Sequence, residues 1–161
     1  MKKILLNTVQ KTSPNHKAYY ALVDKRDFNR LIKFNWHILR SKQNIYAFSH
    51  INKNHVPMHR FILNTNSEID HINNNGLDNR RKNIRIVTRS QNNANTRKRC
   101  DCSSIHKGVS FFRATKKWHG YINKDGKRIH LGYYENEVDA AIAYNKKAKE
   151  LFGKYAKLNQ I

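Results

Sequence analysis

Cysteine, proline and glycine are scarce in this chain of 161 residues, which contains two cysteines, two prolines and six glycines. The cysteines, Cys100 and Cys102, are separated by a single residue. Cysteines this close together cannot link distant segments of a fold by a disulfide bond, and their spacing is not the paired Cys-x-x-Cys spacing of a structural zinc site. A disulfide framework is therefore excluded, and a metal held by these cysteines with His106 would have only three ligands.

Long apolar runs are missing as well. No stretch approaches the roughly 20 apolar residues that a membrane span requires, which excludes membrane spanning. The N-terminal apolar run Ile4-Leu5-Leu6 stops at Asn7, and no small-residue cleavage site follows it. We therefore expect a protein that is not secreted and stays in the cytoplasm. Hydrophobic residues make up 39% of the chain, which is enough for one or two small cores.

Acidic residues are few, with 11 Asp and Glu against 32 Lys and Arg, and the formal net charge is +21. Counted along the sequence, residues 1–57, 58–99 and 100–161 carry net charges of +9, +6 and +6. A charge spread so evenly favours a polyanionic partner that contacts every segment, and nucleic acid is the first such partner to consider. A merely solvated basic surface is the alternative.

The hydrophobic pattern predicts an α+β fold in separate segments. In a mixed lead-in over residues 1–54, residues 18–23 and 44–48 are strand-like, and Asp27 is placed to cap a short helix. Residues 98–106 show no periodicity and many charges, so we interpret them as a linker between domains.

Residues 107–161 predict a three-stranded antiparallel sheet packed on one amphipathic helix. Asp125-Gly126 is typical of a type I′ hairpin turn between two of the strands. Asn136 and Gly153 are suited to the two ends of the helix. Its buried face is expected to contain the residues at helical spacing, namely Val138, Ala141, Ile142, Asn145, Ala148 and Phe152.

Residues 55–97 contain the pattern that carries chemistry. Asp70 and His71 follow a short apolar strand, a long Asn-rich turn leads to a second strand at 84–87, and a helix begins near Ser90, which predicts a ββα unit. Phosphodiester hydrolysis needs a base for water and a cation for the developing charge. A histidine can be neutral at physiological pH and accept that proton, and an Asp carboxylate with the amide oxygen of Asn92 could hold Mg²⁺.

The ordered pattern of Met58-His59-Arg60, Asp70-His71, Asn83 and Asn92 closely resembles the HNH endonuclease family of phage and intron-borne homing enzymes. The resemblance covers roughly residues 55–95. It implies a ββα-metal nuclease core over 55–97, in which His71 is the general base and Asp70 and Asn92 hold one catalytic metal. It also implies that Asn83 fixes the turn, while His59 either contacts the catalytic site or packs beneath it.

The resemblance also implies the metal and the DNA contacts of the core. An asparagine at position 92, where other members have histidine, points to Mg²⁺, with Mn²⁺ as the alternative and zinc disfavoured. Guanidinium groups can grip phosphates bidentately. We expect the arginines around the site to bind the DNA strand: Arg60, Arg80, Arg81, Arg85 and Arg89.

The C-terminal segment resembles the plant ethylene-response-factor, or APETALA-type, DNA-binding domain. The motifs that carry this resemblance are Lys107-Gly-Val-Ser, Lys117-Trp118, residues 128–133 and Leu158-Asn159. It implies that the sheet lies in the major groove of DNA, with Lys107, Arg128 and His130 at contact positions. Arg113 is a further expected contact. Ser110, Phe112 and Asn123 stand where the plant motif has arginines, so the plant recognition sequence does not carry over.

Together these patterns predict a metal-dependent HNH DNA endonuclease, of the phage homing type, that nicks or cuts double-stranded DNA in the cytoplasm of a bacterial host. No small-molecule cofactor is expected, and one active site per chain is compatible with a monomer or a dimer. A DNA-binding regulator with a degenerate nuclease core is the alternative. A ribosomal-type RNA-binding protein would explain the charge but not the ordered motif.

Overall fold

The computed structural model describes residues 1–7, 18–41, 44–98 and 103–161. Its contacts divide the chain into two units, Met1–Val87 and Thr88–Ile161. This division precedes the linker expected at 98–106, because the helix Arg89–Asn95 makes its contacts within the second unit. One such contact is the hydrogen bond from the Lys157 N–H to the Ala94 carbonyl, at 3.1 Å. Cys100 and Cys102 lie outside the described residues.

The first unit is built from short strands and two short helices. In chain order these are β1 (Lys2–Leu6), β2 (Tyr19–Val23), α1 (Lys25–Leu31), β3 (His37–Arg40), β4 (Ile45–Ile51), β5 (Asn54–Pro57), α2 (Met58–Leu63), β6 (Ile69–His71) and β7 (Ile84–Ile86). All the strand pairs are antiparallel: β1 with β2, β3 with β4, β4 with β5, and β6 with β7. The strand-like segments of the lead-in are thus confirmed as β2 and β4.

The core of this unit follows from strand alternation. Ile4 and Leu6 in β1 and Ala21 and Val23 in β2 are buried while their neighbours point outward, as expected when one face of a sheet packs on a core. Trp36 is 1% exposed, and its indole Nε1–H donates to the Leu31 carbonyl at 2.8 Å, so its polar atom is satisfied inside the core.

Helix α1 begins differently from the sequence prediction. Asp24, not Asp27, is the N-cap residue, and Asp27 lies in the first turn of the helix. Asp27 is buried and forms ion pairs with Arg81 at 2.8 Å and Arg30 at 3.0 Å. Its carboxylate therefore pairs with these arginines and does not cap the helix. The hydrogen bond from Arg81 holds the pKa of Asp27 below its ordinary value.

The second unit is one helix followed by a sheet and a long helix. Its elements are α3 (Arg89–Asn95), β8 (Val109–Phe112), β9 (Lys117–Lys124), β10 (Lys127–Tyr134), α4 (Glu137–Phe152) and a 3-10 turn at Gly153–Tyr155. The sheet is antiparallel with the order β8-β9-β10. Asp125 and Gly126 have φ values of 49° and 79°, which confirms the expected type I′ turn. Asn136 caps α4 by accepting from the Asp139 N–H at 2.8 Å, also as expected.

The buried face of α4 differs from the predicted one. Ala140, Ala141, Tyr144, Ala148 and Phe152 are buried. Val138 and Ile142, which were expected in the core, are 44% and 50% exposed. Small alanines let the helix lie close to the sheet, whereas the branched side chains at 138 and 142 face outward. The helical spacing predicted from the sequence is therefore confirmed, but the buried face of α4 is rotated by part of a turn from the predicted one.

The fold is therefore mixed α+β, with several small antiparallel sheets. Within the described ranges, no helix is long and apolar enough to cross a membrane.

Candidate functional site

The long turn between β6 and β7 is held together by one buried asparagine. The Asn83 Oδ1 accepts from the Asn73 N–H at 3.1 Å, and its Nδ2 donates to the Asn73 Oδ1 at 3.0 Å and to the Asp78 carbonyl at 2.8 Å. The Ile72 N–H donates to the Asn83 carbonyl at 2.8 Å. These bonds satisfy buried polar groups that would otherwise be costly, and they fix the turn that follows His71.

The same turn packs tightly on the start of β4. The Asn44 Oδ1 accepts from the Gly76 N–H at 3.1 Å, and the Asn44 Nδ2 donates to the Asn74 carbonyl at 3.1 Å. A Cβ atom on Gly76 would lie 2.5 Å from the Ile45 carbonyl oxygen and 2.5 Å from a ring carbon of Tyr46. Only glycine fits this approach, which brings the Tyr46 ring to His71, with 5.8 Å between ring centroids.

His71 ends β6, is 5% exposed, and is oriented by Asn79. Its Nε2 lies 3.3 Å from the Oδ1 of Asn79, which is itself 1% exposed. Burial lowers the pKa of His71 below its ordinary value, and this outweighs the hydrogen bond to the Asn79 Oδ1 and the charges of Asp70 and Asp78, which raise it. The imidazole is thus neutral at pH 7 and has a fixed ring orientation.

His59, at the start of α2, packs edge-on against His71 with 5.1 Å between the ring centroids. The Tyr46 ring contacts His59 as well, at 6.0 Å. Burial, with the charges of His71 and Arg60, lowers the pKa of His59 to about 3. The His59 Nδ1 is buried and has no hydrogen-bond partner in the part of the chain that the structure describes. The structure therefore brings the two predicted histidines together.

Asp70 precedes His71 in β6 and is 4% exposed. Its Oδ2 accepts from Arg85, at 2.9 Å from the Nε and 2.7 Å from the Nη2. Asp70 and Arg85 are paired across the β6–β7 ladder. Asp70, which is predicted to bind a metal, is thus paired with Arg85, which is predicted to bind DNA.

The two residues predicted to hold a metal each offer oxygen atoms, one in each unit. Asp70 offers a buried carboxylate, and Asn92 offers an amide on α3, half-buried in the second unit. Carboxylate and amide oxygens are the ligands that hard divalent cations prefer, so the residue types fit Mg²⁺ or Mn²⁺ better than zinc. Among the described residues there is no group of three or more His, Cys, Asp and Glu side chains that could hold a metal by itself.

Helix α3, which carries Asn92, begins at a capping box. The Thr88 hydroxyl accepts from the Gln91 N–H at 3.2 Å, and the Gln91 side chain accepts from the Thr88 N–H at 2.9 Å. The cap is thus Thr88, two residues before the expected Ser90, because the Thr-x-x-Gln pattern satisfies two amide groups at once.

The arginines predicted to bind DNA divide into two groups. Arg80 bonds the Asp78 carboxylate at 2.7 and 2.6 Å, and Arg81 bonds Asp27 at 2.8 and 2.9 Å. The hydrogen bond from Arg80 holds the pKa of Asp78 below its ordinary value. These guanidinium groups stabilise the turn, and they do so with the N–H donors that we predicted would bind phosphate. Arg60 and Arg89, in contrast, are exposed.

Lys107 has a structural position in the second unit. Its Nζ donates to three backbone carbonyls at the end of α3, those of Asn93 at 3.0 Å, Ala94 at 2.6 Å and Thr96 at 2.9 Å. Burial and the charge of Lys157 lower the pKa of Lys107 to about 8, which still leaves an ammonium group at pH 7. Lys107 satisfies the carbonyls that a helix end leaves without partners, so its ammonium donors are used within the protein.

The outer face of the C-terminal sheet carries rings and cations. The Arg128 guanidinium lies 4.5 Å from the Tyr121 ring centroid, and the His119 Nε2 lies 2.7 Å from the His130 Nδ1. Burial, His130 and Arg128 lower the pKa of His119. Arg113, Arg128 and His130 are exposed, so three of the four C-terminal residues predicted to bind DNA are open to a partner.

The sequence interpretation missed residues that shape the site. Asn79 orients His71, Tyr46 packs on both histidines, and Asp78 anchors Arg80. The Leu-Asp-Asn-Arg run after Gly76 offered a signal, because an Asp and an Asn inside an Asn-rich turn are residues that hydrogen-bond locally. The strand-like segment 44–48 contains Tyr46, but nothing in that pattern predicts its contact with His71, which is 25 residues away in the sequence.

Comparison with known proteins gives two kinds of relative. Over 153 residues the chain is 29% identical to an uncharacterized HNH endonuclease of Acanthamoeba polyphaga mimivirus, covering 90% of this chain and 77% of that protein. Over 57 residues, 35% of the chain, it is 37% identical to an AP2-like ethylene-responsive transcription factor of Arabidopsis thaliana and to APETALA2-like protein 2 of Oryza sativa subsp. japonica. The match covers only 12% and 13% of these plant proteins.

No family model and no solved structure matches the chain. The similarities nevertheless agree in kind with both resemblances drawn from the sequence. The chain is distantly homologous to an HNH endonuclease over most of its length, and in part to AP2-type proteins.

Proposed function

We propose that the protein is a metal-dependent HNH endonuclease of the phage homing type that hydrolyses phosphodiester bonds in double-stranded DNA. The observation that carries this proposal is His71, a buried and neutral imidazole held by Asn79 and adjacent to the Asp70 carboxylate. A neutral histidine in a fixed orientation is what a general base requires. The distant homology to an HNH endonuclease supports the same reaction.

The contact with Asn79 supports one assignment of the base nitrogen of His71 within this proposal. An amide oxygen can only accept a hydrogen bond, so the His71 Nε2 that faces the Asn79 Oδ1 carries the proton. The lone pair is then on Nδ1, and this atom accepts the proton of the attacking water. The new bond forms between the water oxygen and phosphorus, and the bond from phosphorus to the 3′ oxygen breaks. The 3′ oxygen leaves with the bonding electron pair and takes up a proton from solvent water, which gives 5′-phosphate and 3′-hydroxyl ends.

Asp70 and Asn92 are the residues that would hold the divalent metal, with Mg²⁺ preferred by the oxygen donors. Such a metal supplies stabilisation of the charge on the phosphate and on the leaving oxygen. In this proposal Asn83 is a positioning residue for the turn, and His59 supports the His71 ring from its edge. The C-terminal sheet supplies affinity and register on the duplex, and cleavage takes place in the bacterial cytoplasm.

The test is a plasmid-cleavage assay with His71→Ala. Loss of the general base is expected to lower the cleavage rate about 10²–10⁴-fold, while DNA binding measured in EDTA stays within about twofold of the parent. The thermal unfolding midpoint of the variant verifies that the fold is kept. A variant that is folded, binds DNA and cuts plasmid at the parent rate would refute the assignment of His71.

A second candidate, DNA binding without cleavage, is favoured by one contact. The Nε and Nη2 of Arg85 both bond the Oδ2 of Asp70, so the guanidinium competes with a cation for that oxygen. The same assay distinguishes the two functions, because a nuclease cuts with Mg²⁺ or Mn²⁺ and stops with EDTA. A regulator binds the DNA and leaves it intact under both conditions.

A further inference from the structure

One face of the β3-β4-β5 sheet carries a row of aromatic and imidazole side chains. In β4 the alternate residues Ala47 and Ser49 are buried, while Tyr46, Phe48 and His50 lie on the opposite face. The strand register adds His37 opposite Phe48 and His55 opposite His50. We refer to the five rings on this side as the ring face: His37, Tyr46, Phe48, His50 and His55.

The rings around Phe48 contact one another and form an open stack. His55 lies flat on Phe48, with centroids 4.0 Å apart and 25° between the planes. His50 contacts both of them edge-on, at 5.7 and 5.6 Å. His50 and His55 are exposed, so the stack is covered by Phe48 on one side of His55 and is accessible on the other.

The ring face leads to His59 and His71. Tyr46 contacts His59 and His71 at 6.0 and 5.8 Å. A recess of about 170 Å³ lies between the two groups of rings, lined by Leu39, Tyr46, Ala47, Phe48, Pro57, His59 and Ile69. This volume exceeds the roughly 30 Å³ of a water molecule, so the recess has room for part of a ligand that lies between Phe48 and His59.

The charge of this region fits a polyanion. No aspartate or glutamate occurs between Asp27 and Glu68, whereas that interval contains six Lys and Arg residues and four histidines. Of these cations, Lys33, Arg40, Lys53 and Arg60 are exposed. A ligand with negative charges and flat rings would complement both the positive charge of this region and its stacked rings. A nucleotide strand has both features, in its phosphates and its bases.

We propose that the ring face binds unpaired bases of the DNA strand that flanks the cleaved phosphate. This inference rests on the proposed nuclease function, since it places the strand that leads to His71. Bases stack on aromatic side chains and on histidine when their own faces are exposed. The interior of a duplex does not offer those faces, so the occupant is a locally opened strand. Along β4 the row from Tyr46 to His50 spans about 14 Å, enough for several nucleotides.

The experiment measures binding in EDTA, so that cleavage plays no part. A single-stranded oligonucleotide carrying 2-aminopurine, whose fluorescence falls on stacking, is titrated with the full chain, and the matching duplex is titrated in parallel. His55→Ala and Phe48→Leu are expected to weaken single-strand binding about 5- to 150-fold, the range of one stacked base, and to reduce the fluorescence change. Duplex affinity is expected to stay within about twofold.

Tyr20→Ala is the matched control, because Tyr20 is a ring of β2 that is 45% exposed and lies outside the ring face. It is expected to bind both oligonucleotides like the parent. Equal single-strand affinity in the parent and in His55→Ala would overturn the proposal, and so would equal weakening of single-strand and duplex binding. If Phe48→Leu does not fold, the exposed His55→Ala variant decides alone.

The nuclease function and the ring face can fail separately. A parent that cuts plasmid with Mg²⁺ but shows no quenching refutes the ring face only. A parent that shows quenching sensitive to His55→Ala but never cuts DNA refutes the nuclease function and leaves the strand-binding face in place.

Discussion

At the scale of single residues, His59 makes a prediction about acid stability. The pKa of this histidine is about 3 in the folded protein and about 6.5 in an unfolded chain. Between these values the unfolded state binds one more proton than the folded state, so this contribution to stability is complete above pH 6.5 and declines as the pH falls. We expect a loss of up to about 1.4 kcal/mol per pH unit from this group. Urea unfolding at pH 7, 6 and 5 measures it.

His59→Phe keeps a ring between Tyr46 and His71 and removes the titrating group. The free energy of unfolding of this variant is expected to fall less steeply below pH 6.5 than that of the parent. His119, whose pKa is also lowered, lies in the second unit, so it contributes equally to both proteins and cancels in the difference. Parallel curves for the two proteins would show that His59 is protonated equally in both states.

The residues of the site could be predicted from the sequence where their chemistry is local. Asp70 and His71 are adjacent, and the structure has them next to each other in β6. The partners of these residues could not be predicted, because Asn79 and Arg85 reach them only through the turn and the β6–β7 register. Likewise, a sequence cannot tell whether Arg80 meets a phosphate or Asp78, since both accept the same bidentate bonds.

At the scale of elements, Gly76 tests how the turn positions the site. Gly76→Ala would place a Cβ atom 2.5 Å from the Ile45 backbone oxygen, so the turn or β4 must move. We expect a loss of about 1–3 kcal/mol of stability, as in other overpacked sites. Cleavage is expected to fall further than binding, because the displaced turn carries the Asn79 that orients His71. A variant with parental stability and cleavage would show that the turn tolerates a wider gap to β4.

Elements were predictable where one pattern decides them. Turn chemistry defined the Asp125-Gly126 hairpin, and alternation defined β2 and β4. Positions that depend on packing were not: the core face of α4 excludes Val138 and Ile142, and Lys107 caps α3 across 11 or more residues of sequence. Periodicity gives the presence of a helix, whereas its buried face depends on the sheet that it meets.

At the scale of the whole molecule, not every cation that contributes to the net charge of +21 is open to DNA, because some of them bond to groups inside the protein. Four of the nine residues predicted to contact DNA use their donors inside the protein: Arg80, Arg81, Arg85 and Lys107. Four of the exposed ones are arginines that are always charged, namely Arg60, Arg89, Arg113 and Arg128. If these four each neutralise one phosphate, affinity should fall about 10²-fold between 50 and 200 mM salt.

The two groups of arginines give the last prediction, tested by the salt dependence of binding to a fixed duplex in EDTA. Arg60→Gln removes an exposed cation, so the slope of log affinity against log salt is expected to become shallower by about 0.9. Arg80→Gln removes a cation that is already paired with Asp78 at 2.6 Å, so it is expected to lower stability while leaving the slope of the folded protein unchanged. Both variants lose one formal charge, which makes each the control for the other. Equal changes in slope would mean that binding depends on total charge and not on which arginines face the DNA.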